Sequence, residues 1–161
     1  PTGTISIIAG TSSGIEPLFA LAYTRNVLEG ARLLEVSPFF QAAAEERGIW
    51  SPKLQSELAK KGSASGLVGV PEDLKELFFT ALEISSEQHV RVQAAFQKYT
   101  DNAVSKTVNL AEKATVEDVR AVYHLAYDLG CKGVTVFRYG SRSQVLYLGN
   151  GETVPGCKYC G

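Results

Sequence analysis

The sequence predicts an α/β protein, and the clearest sign is a strand–helix–strand succession in its last third. Residues 106–110 and 133–138 form short β-branched runs, and residues 115–130 between them show helical spacing of apolar positions. A helix of this length commonly connects two parallel strands. Several helix-start signals precede this unit. Hydrophobic residues make up 45% of the 161 residues, which suits a buried core.

The first third is predicted to be mostly extended. Residues 4–9 are rich in β-branched side chains and lie between two glycines, which predicts a buried strand. Residues 10–14 form a loop of glycines and hydroxyl residues. Residues 15–23 are apolar and leave strand and helix both open. Residues 23–36 place apolar positions around Glu29-Gly30 and are compatible with a hairpin or an extended excursion.

Three helices are predicted in the middle of the chain, each from a start signal that includes proline. The signals are Ser37-Pro38, Ser51-Pro52 and Pro71. We expect Gly48 to end the first helix, and residues 62–69 to form a loop after the second. The third should present Leu74, Leu77 and Phe78 on one face.

Two longer helices are predicted from capping boxes. Ser85 with Gln88 starts one that we expect to reach about Ala103, and Thr115 with Asp118 starts the crossover helix. The predicted buried stripe of the first is Val92, Ala95, Phe96, Tyr99 and Ala103. The stripe of the second is Val119, Val122, Tyr123, Ala126 and Leu129, with Gly130 as its C-terminal cap. Residues 144–154, around Asn150-Gly151, predict a small hairpin.

The charge pattern excludes several classes of function. Sixteen basic against 17 acidic residues give a net charge of −1, which argues against a basic nucleic-acid or membrane surface. The sequence shows neither an apolar run of membrane-spanning length nor a secretory signal. It contains no methionine and starts at Pro1, so we expect a processed chain or a piece of a longer one.

Cysteine use favours a reducing, cytoplasmic setting, because three cysteines without a signal segment do not form a disulfide framework. Cys157 and Cys160 form a C-x-x-C at the C-terminal end. This spacing fits a redox dithiol, half of a zinc site, or a zinc shared by the tails of two chains. Cys131 follows a predicted helix end and is expected to be a small buried residue. We predict no metal site within the chain.

The N-terminal segment has a composition that suits phosphate, because glycine lets backbone amides approach an anion and hydroxyls add donors. It consists of Pro1, Thr2, Gly3, Thr4, Ile5 and Ser6, and contains no acid. Ser12, Ser13 and Gly14 are expected to form a second layer of the same site. By composition alone, both segments are also compatible with ordinary turns.

Three segments resemble the large chain of ribonucleotide reductase, and most closely its adenosylcobalamin-dependent class II. They are residues 1–17 (PTGTISIIAGTSSGIEP), 93–110 (QAAFQKYTDNAVSKTVNL) and 115–142 (TVEDVRAVYHLAYDLGCKGVTVFRYGSR). They occur in the family's order, with residues 36–82 more variable. The resemblance implies that residues 1–142 are the C-terminal part of a ten-stranded α/β barrel, incomplete here, and that residues 143–161 are a hairpin and C-x-x-C tail.

The resemblance also implies an activity. Such reductases convert ribonucleotides to 2′-deoxyribonucleotides through a thiyl radical that adenosylcobalamin generates. Residues 1–6 match the segment that holds the substrate phosphates. Cys157 and Cys160 match the redox pair on a C-terminal arm, which a thioredoxin-like protein reduces. Class I chains carry a tyrosine pair where this chain has Phe137-Arg138, with Tyr139 single and off register, which supports class II.

The thiyl cysteine and most cobalamin contacts belong upstream of the matched region in the family. We therefore assign no catalytic residue to this chain and expect it alone to be inactive and to bind phosphate weakly. It should need an upstream partner chain, or oligomerise to cover unpaired strand edges. The alternative is a non-catalytic, reductase-derived nucleotide-binding or regulatory protein, including a zinc-linked dimer. The resemblance implies no membrane or direct nucleic-acid partner.

Overall fold

The computed structural model describes residues 3–26, 32–141 and 146–147. The chain divides into two compact units, which we treat separately. The first takes its described residues from Pro1–Pro17 and Ala81–Arg142, and the second from Leu18–Thr80 and Ser143–Gly161.

The first unit contains the predicted parallel strand pair. It comprises helices α1 (Gly3–Ala9), α5 (Ser86–Gln97) and α6 (Val116–Asp128), and strands β3 (Thr107–Leu110) and β4 (Thr135–Arg138). Thr107 pairs with Thr135 and Leu110 with Arg138 in parallel register. Val90, Val108 and Val122 lie in the core that α5 and α6 build against these strands. The strand–helix–strand prediction is therefore confirmed.

The second unit combines a small sheet with three helices. Strands β1 (Ala22–Asn26) and β2 (Arg32–Val36) pair antiparallel, as expected of the hairpin among the two alternatives, and β5 (Leu146–Tyr147) pairs with the other edge of β1. The helices are α2 (Pro38–Glu46), α3 (Pro52–Lys61) and α4 (Glu72–Leu77). Their core includes Phe40, Leu58 and Leu74. The predicted 144–154 hairpin otherwise lies outside the described residues.

The predicted strand at residues 4–9 is wrong, because these residues form α1. Within the described part of the chain, no strand pairs with this segment. A segment without a strand neighbour satisfies its backbone hydrogen bonds internally by forming a helix. Ile5 and Ile8 are exposed rather than buried.

The predicted length and buried face of α5 are also wrong. The helix ends at Gln97, and Phe96 and Tyr99 of the predicted stripe are exposed. The buried side chains are instead His89, Val90, Gln93 and Gln97. Polar side chains occupy this face because each finds partners there, as described below. The predicted buried stripe of α6 is wrong at Tyr123 and Leu129, which are both exposed.

Candidate functional site

The structure places only part of the predicted phosphate segment. Gly3, Thr4, Ile5 and Ser6 lie in α1, whose first turn carries no acidic residue. Pro1 and Thr2 fall outside the described residues. The Ser6 carbonyl accepts a hydrogen bond from the Thr11 amide at 2.9 Å, which turns the chain back at the end of α1.

The predicted second layer forms a turn between α1 and Glu16. Gly10 and Gly14 have φ values of 65° and 58°, in the left-handed region that favours glycine. The Ser13 carbonyl accepts from the Glu16 amide at 3.1 Å. Ser12 is exposed and Ser13 half-buried. The loop prediction is confirmed, whereas the binding role of these residues stays a prediction.

The redox pair Cys157 and Cys160 lies outside the described residues. Cys131 is a free, half-buried thiol that packs against the core around Val108. Burial raises the pKa of this thiol, which keeps it protonated and unreactive. This agrees with the expectation of a packing role.

A polar cluster that the sequence analysis did not identify joins the 10–17 segment to the start of β3. We call Glu16, His89 and Lys106 the Lys106 cluster. Glu16 uses both carboxylate oxygens: Oε1 accepts from the Thr107 amide at 2.6 Å, and Oε2 from the Lys106 ammonium group at 2.9 Å. The carboxylate thereby joins the 10–17 segment to the first residue of β3.

Lys106 satisfies all its donors inside the protein. Its side chain is 1% exposed. Besides Glu16, the ammonium group donates to His89 Nδ1 at 2.9 Å and to the Thr107 carbonyl at 3.0 Å. Three donors thus meet three acceptors, which is how a buried lysine avoids the cost of an unpaired charge.

His89 is held in one neutral tautomer by its neighbours. Its Nε2 lies 2.9 Å from the Ala81 carbonyl, which can only accept, so Nε2 carries the proton. Nδ1 is then free to accept from Lys106. Burial is the main cause that lowers the pKa of His89, and the nearby Lys106 charge lowers it further. The Ala81 hydrogen bond and Glu16 oppose this shift.

Two glutamines of α5 hold the loops that lead into the parallel strands. The Gln93 amide group donates to the carbonyls of Val104 at 2.9 Å and Gly133 at 2.7 Å. Gln97 donates to the Thr100 and Asn102 carbonyls and accepts from the Val104 amide. The buried face of α5 therefore fixes the starts of β3 and β4 through polar contacts.

The carboxyl ends of the paired strands β3 and β4 lie next to each other. Phe137 and Arg138, which the resemblance places at the positions of the class I tyrosine pair, are the last two residues of β4. Tyr139 follows β4, and its amide donates to the Leu110 carbonyl at 2.9 Å. Burial, with a smaller effect of Glu112, raises the pKa of the Tyr139 phenol. The phenol therefore stays protonated at neutral pH.

Two further features of the described residues concern metal and ligand binding. They include no group of three or more His, Cys, Asp or Glu side chains that could hold a metal ion. A cavity in the second unit, lined by Ile49, Lys53, Glu57 and Val68, has a volume of about 110 Å³. In the part of the chain that the structure describes, no helix has the length and apolar character to cross a membrane.

Sequence reasoning missed the Lys106 cluster because its members lie far apart in the chain. A usable signal existed in Lys106, a lysine directly before an apolar strand, where burial demands a carboxylate partner. Glu16, next to the predicted second layer, was available for that role.

Comparison with known proteins identifies the family of this fold. Residues 1–137 match the model of the ribonucleotide reductase barrel domain, and the chain belongs to that family. A vitamin B12-dependent ribonucleoside-diphosphate reductase from Thermoplasma acidophilum is 51% identical over 154 residues, which cover 95% of this chain and 20% of that protein. A protein of the same description from Mycobacterium tuberculosis is 51% identical over 147 residues, covering 91% of this chain and 21% of that protein.

A solved structure shows the same fold. The class Id ribonucleotide reductase alpha subunit of Actinobacillus ureae matches with a TM-score of 0.70 and 26% identity, over 86% of this chain and 25% of that chain. This chain thus spans about a fifth of the length of the two curated relatives described above. The resemblance to the reductase family and the expectation of a partial barrel domain are confirmed.

Proposed function

We propose that this chain is the C-terminal part of the barrel of a vitamin B12-dependent ribonucleotide reductase. The observation that carries the proposal is 51% identity, over 95% of the chain, to a reductase with that name. The names of the two relatives at this identity favour a ribonucleoside diphosphate as substrate. In this proposal adenosylcobalamin supplies the radical, and most of the residues that hold it lie outside this chain.

Two roles fall to residues of this chain. Residues 1–6 bind the substrate phosphates through amides and hydroxyls, with Ser12, Ser13 and Gly14 behind them. The absence of acid from the first turn of α1 supports this role, because a carboxylate there would repel phosphate. Cys157 and Cys160 form the redox pair. Their two thiols become a disulfide and pass two electrons and two protons to the disulfide left by each turnover.

The phosphate role predicts a binding defect when hydroxyls are removed. In the complete protein, the double variant Thr2→Val, Thr4→Val should raise KM for the ribonucleoside diphosphate on the order of tenfold, with a smaller change in kcat. Thr11→Val is the matched control, because the Thr11 hydroxyl is exposed and donates only to a neighbouring carbonyl. An unchanged KM in the double variant would exclude residues 2 and 4 from the phosphate site.

The tail role predicts a defect limited to repeated turnover. Cys157→Ser or Cys160→Ser in the complete protein should abolish multiple turnover with a thioredoxin-like reductant, because a single thiol cannot close a disulfide. Prereduced protein should still form product in a single turnover. Cys131→Ala serves as the control, since Cys131 is a packing residue. Normal multiple turnover in the tail variants would contradict the proposal, and one zinc per two chains would favour the zinc-linked dimer instead.

A further inference from the structure

The Lys106 cluster contains a buried charge that the proposed function does not use. Its lysine is 1% exposed, whereas the partner carboxylate of Glu16 is 26% exposed. Burying an ammonium group costs free energy unless every donor is paired. A methionine there would avoid this cost but would leave the Glu16 carboxylate, His89 Nδ1 and the Thr107 carbonyl without this donor, so the reason for the lysine lies in these partners.

The contacts of Glu16 suggest that reason. The segment of residues 10–17 is fixed at both ends: the Thr11 amide donates to the Ser6 carbonyl, and the Glu16 carboxylate accepts from the Thr107 amide and the Lys106 ammonium group. Between these points lie the glycine turns and the serines of the predicted second layer. Lys106 orients the Glu16 carboxylate so that its other oxygen meets the Thr107 amide.

We propose that Lys106 is a positioning residue, whose ammonium group holds Glu16 on the first residue of β3 and thereby fixes the location of the phosphate-binding segment before it. His89 completes the arrangement by accepting from Lys106 while its other nitrogen is tied to Ala81. The inference rests on the proposed function of residues 1–6.

The test uses the complete protein with Lys106→Met, Glu16→Gln and the double variant. Glu16→Gln keeps the size of the side chain and leaves one oxygen that can accept from the Thr107 amide. The Lys106 ammonium group then faces either the NH2 group, which cannot accept, or a neutral carbonyl oxygen, which accepts more weakly than a carboxylate. Two readouts are needed: hydrogen–deuterium exchange of peptides that cover residues 10–17, and binding of inorganic pyrophosphate. Glu87→Gln and Lys75→Met are matched controls, because Glu87 is the exposed partner of Arg91 and Lys75 pairs with the exposed Glu72.

We expect faster exchange of residues 10–17 in both single variants, and weaker pyrophosphate binding on the order of tenfold. KM for the ribonucleotide should rise by a similar factor, with kcat changed less than about twofold. Lys106→Arg should restore part of the affinity, because it returns a cation to Glu16. The double variant should be less impaired than the sum of the two single variants, since it leaves no unpaired charge.

Faster exchange with unchanged pyrophosphate binding and KM would overturn the inference and leave the cluster a purely structural role. Unchanged exchange would overturn it too, as would a wild-type protein that does not bind pyrophosphate. A wild-type protein that binds pyrophosphate but forms no deoxyribonucleotide would refute the proposed function alone, while the positioning role would still be judged by the change in affinity. If Lys106→Met does not fold, Glu16→Gln and Lys106→Arg decide between these outcomes.

Discussion

His89 has both ring nitrogens engaged in a buried site, and this makes its protonation state a property of the fold. A proton on Nδ1 would point at the Lys106 ammonium group and would end that hydrogen bond. The lowered pKa of His89 follows chiefly from burial. In the unfolded chain the ring would titrate near its ordinary value of 6.5.

This difference predicts how stability depends on pH. Below about pH 6.5 His89 binds a proton in the unfolded chain but stays neutral in the folded chain. The free energy of unfolding should therefore fall as the pH drops. This loss of stability should level off once the pH is below the pKa of His89 in the folded chain. Urea unfolding of the chain between about pH 8 and pH 5 measures the effect.

The other histidine provides the control for this prediction. His124 is exposed on α6, so His124→Gln should keep the pH dependence that His89 causes. His89→Gln should reduce it. An equal pH dependence in wild type and His89→Gln would show that His89 does not titrate differently in the two states.

Sequence patterns could not identify such residues, because burial of a polar side chain depends on distant partners. Gln93 is paired with the carbonyl of Gly133, 40 positions away. Glu16 and Lys106 are 90 positions apart. Helical periodicity placed the apolar face of α5 on Phe96 and Tyr99, whereas the structure buries the face that carries Gln93 and Gln97.

Among the secondary-structure elements, the local sequence signals for helix starts predicted the N-terminal ends of α3 and α6 correctly. The serine at position 51 accepts from the Leu54 amide, and proline follows it, as the sequence predicted. The capping box of α6 is complete, with reciprocal bonds between Thr115 and Asp118. By contrast, the strand prediction at residues 4–9 was wrong. A strand forms only where another strand pairs with it, and the sequence of one short segment does not show whether such a partner is present.

The cap of α3 gives a direct test at this scale. Ser51→Ala removes the acceptor of the Leu54 amide, so it should lower the free energy of unfolding by about 1 kcal/mol. Ser56→Ala, on the exposed side of the same helix, should be neutral or slightly stabilising because alanine favours helix. Equal effects of the two substitutions in urea unfolding would show that the Ser51 hydroxyl does not cap the helix.

For the molecule as a whole, the strand–helix–strand succession predicted an α/β protein, and the three resembling segments indicated its family. The division of the described residues into two units was not predicted. The Lys106 cluster lies within the first unit, together with the α1 segment and the parallel strands. The chain matches about a fifth of its curated relatives, so its chemistry must be tested in the complete protein.

We propose that this chain supplies part of a reductase site and cannot perform the reaction alone. The most direct measurement is adenosylcobalamin-dependent formation of deoxyribonucleoside diphosphate, compared between the complete protein and the 161-residue chain. We predict product from the complete protein and none from the chain. Product from the chain alone, or none from the complete protein supplied with cofactor and reductant, would contradict the account.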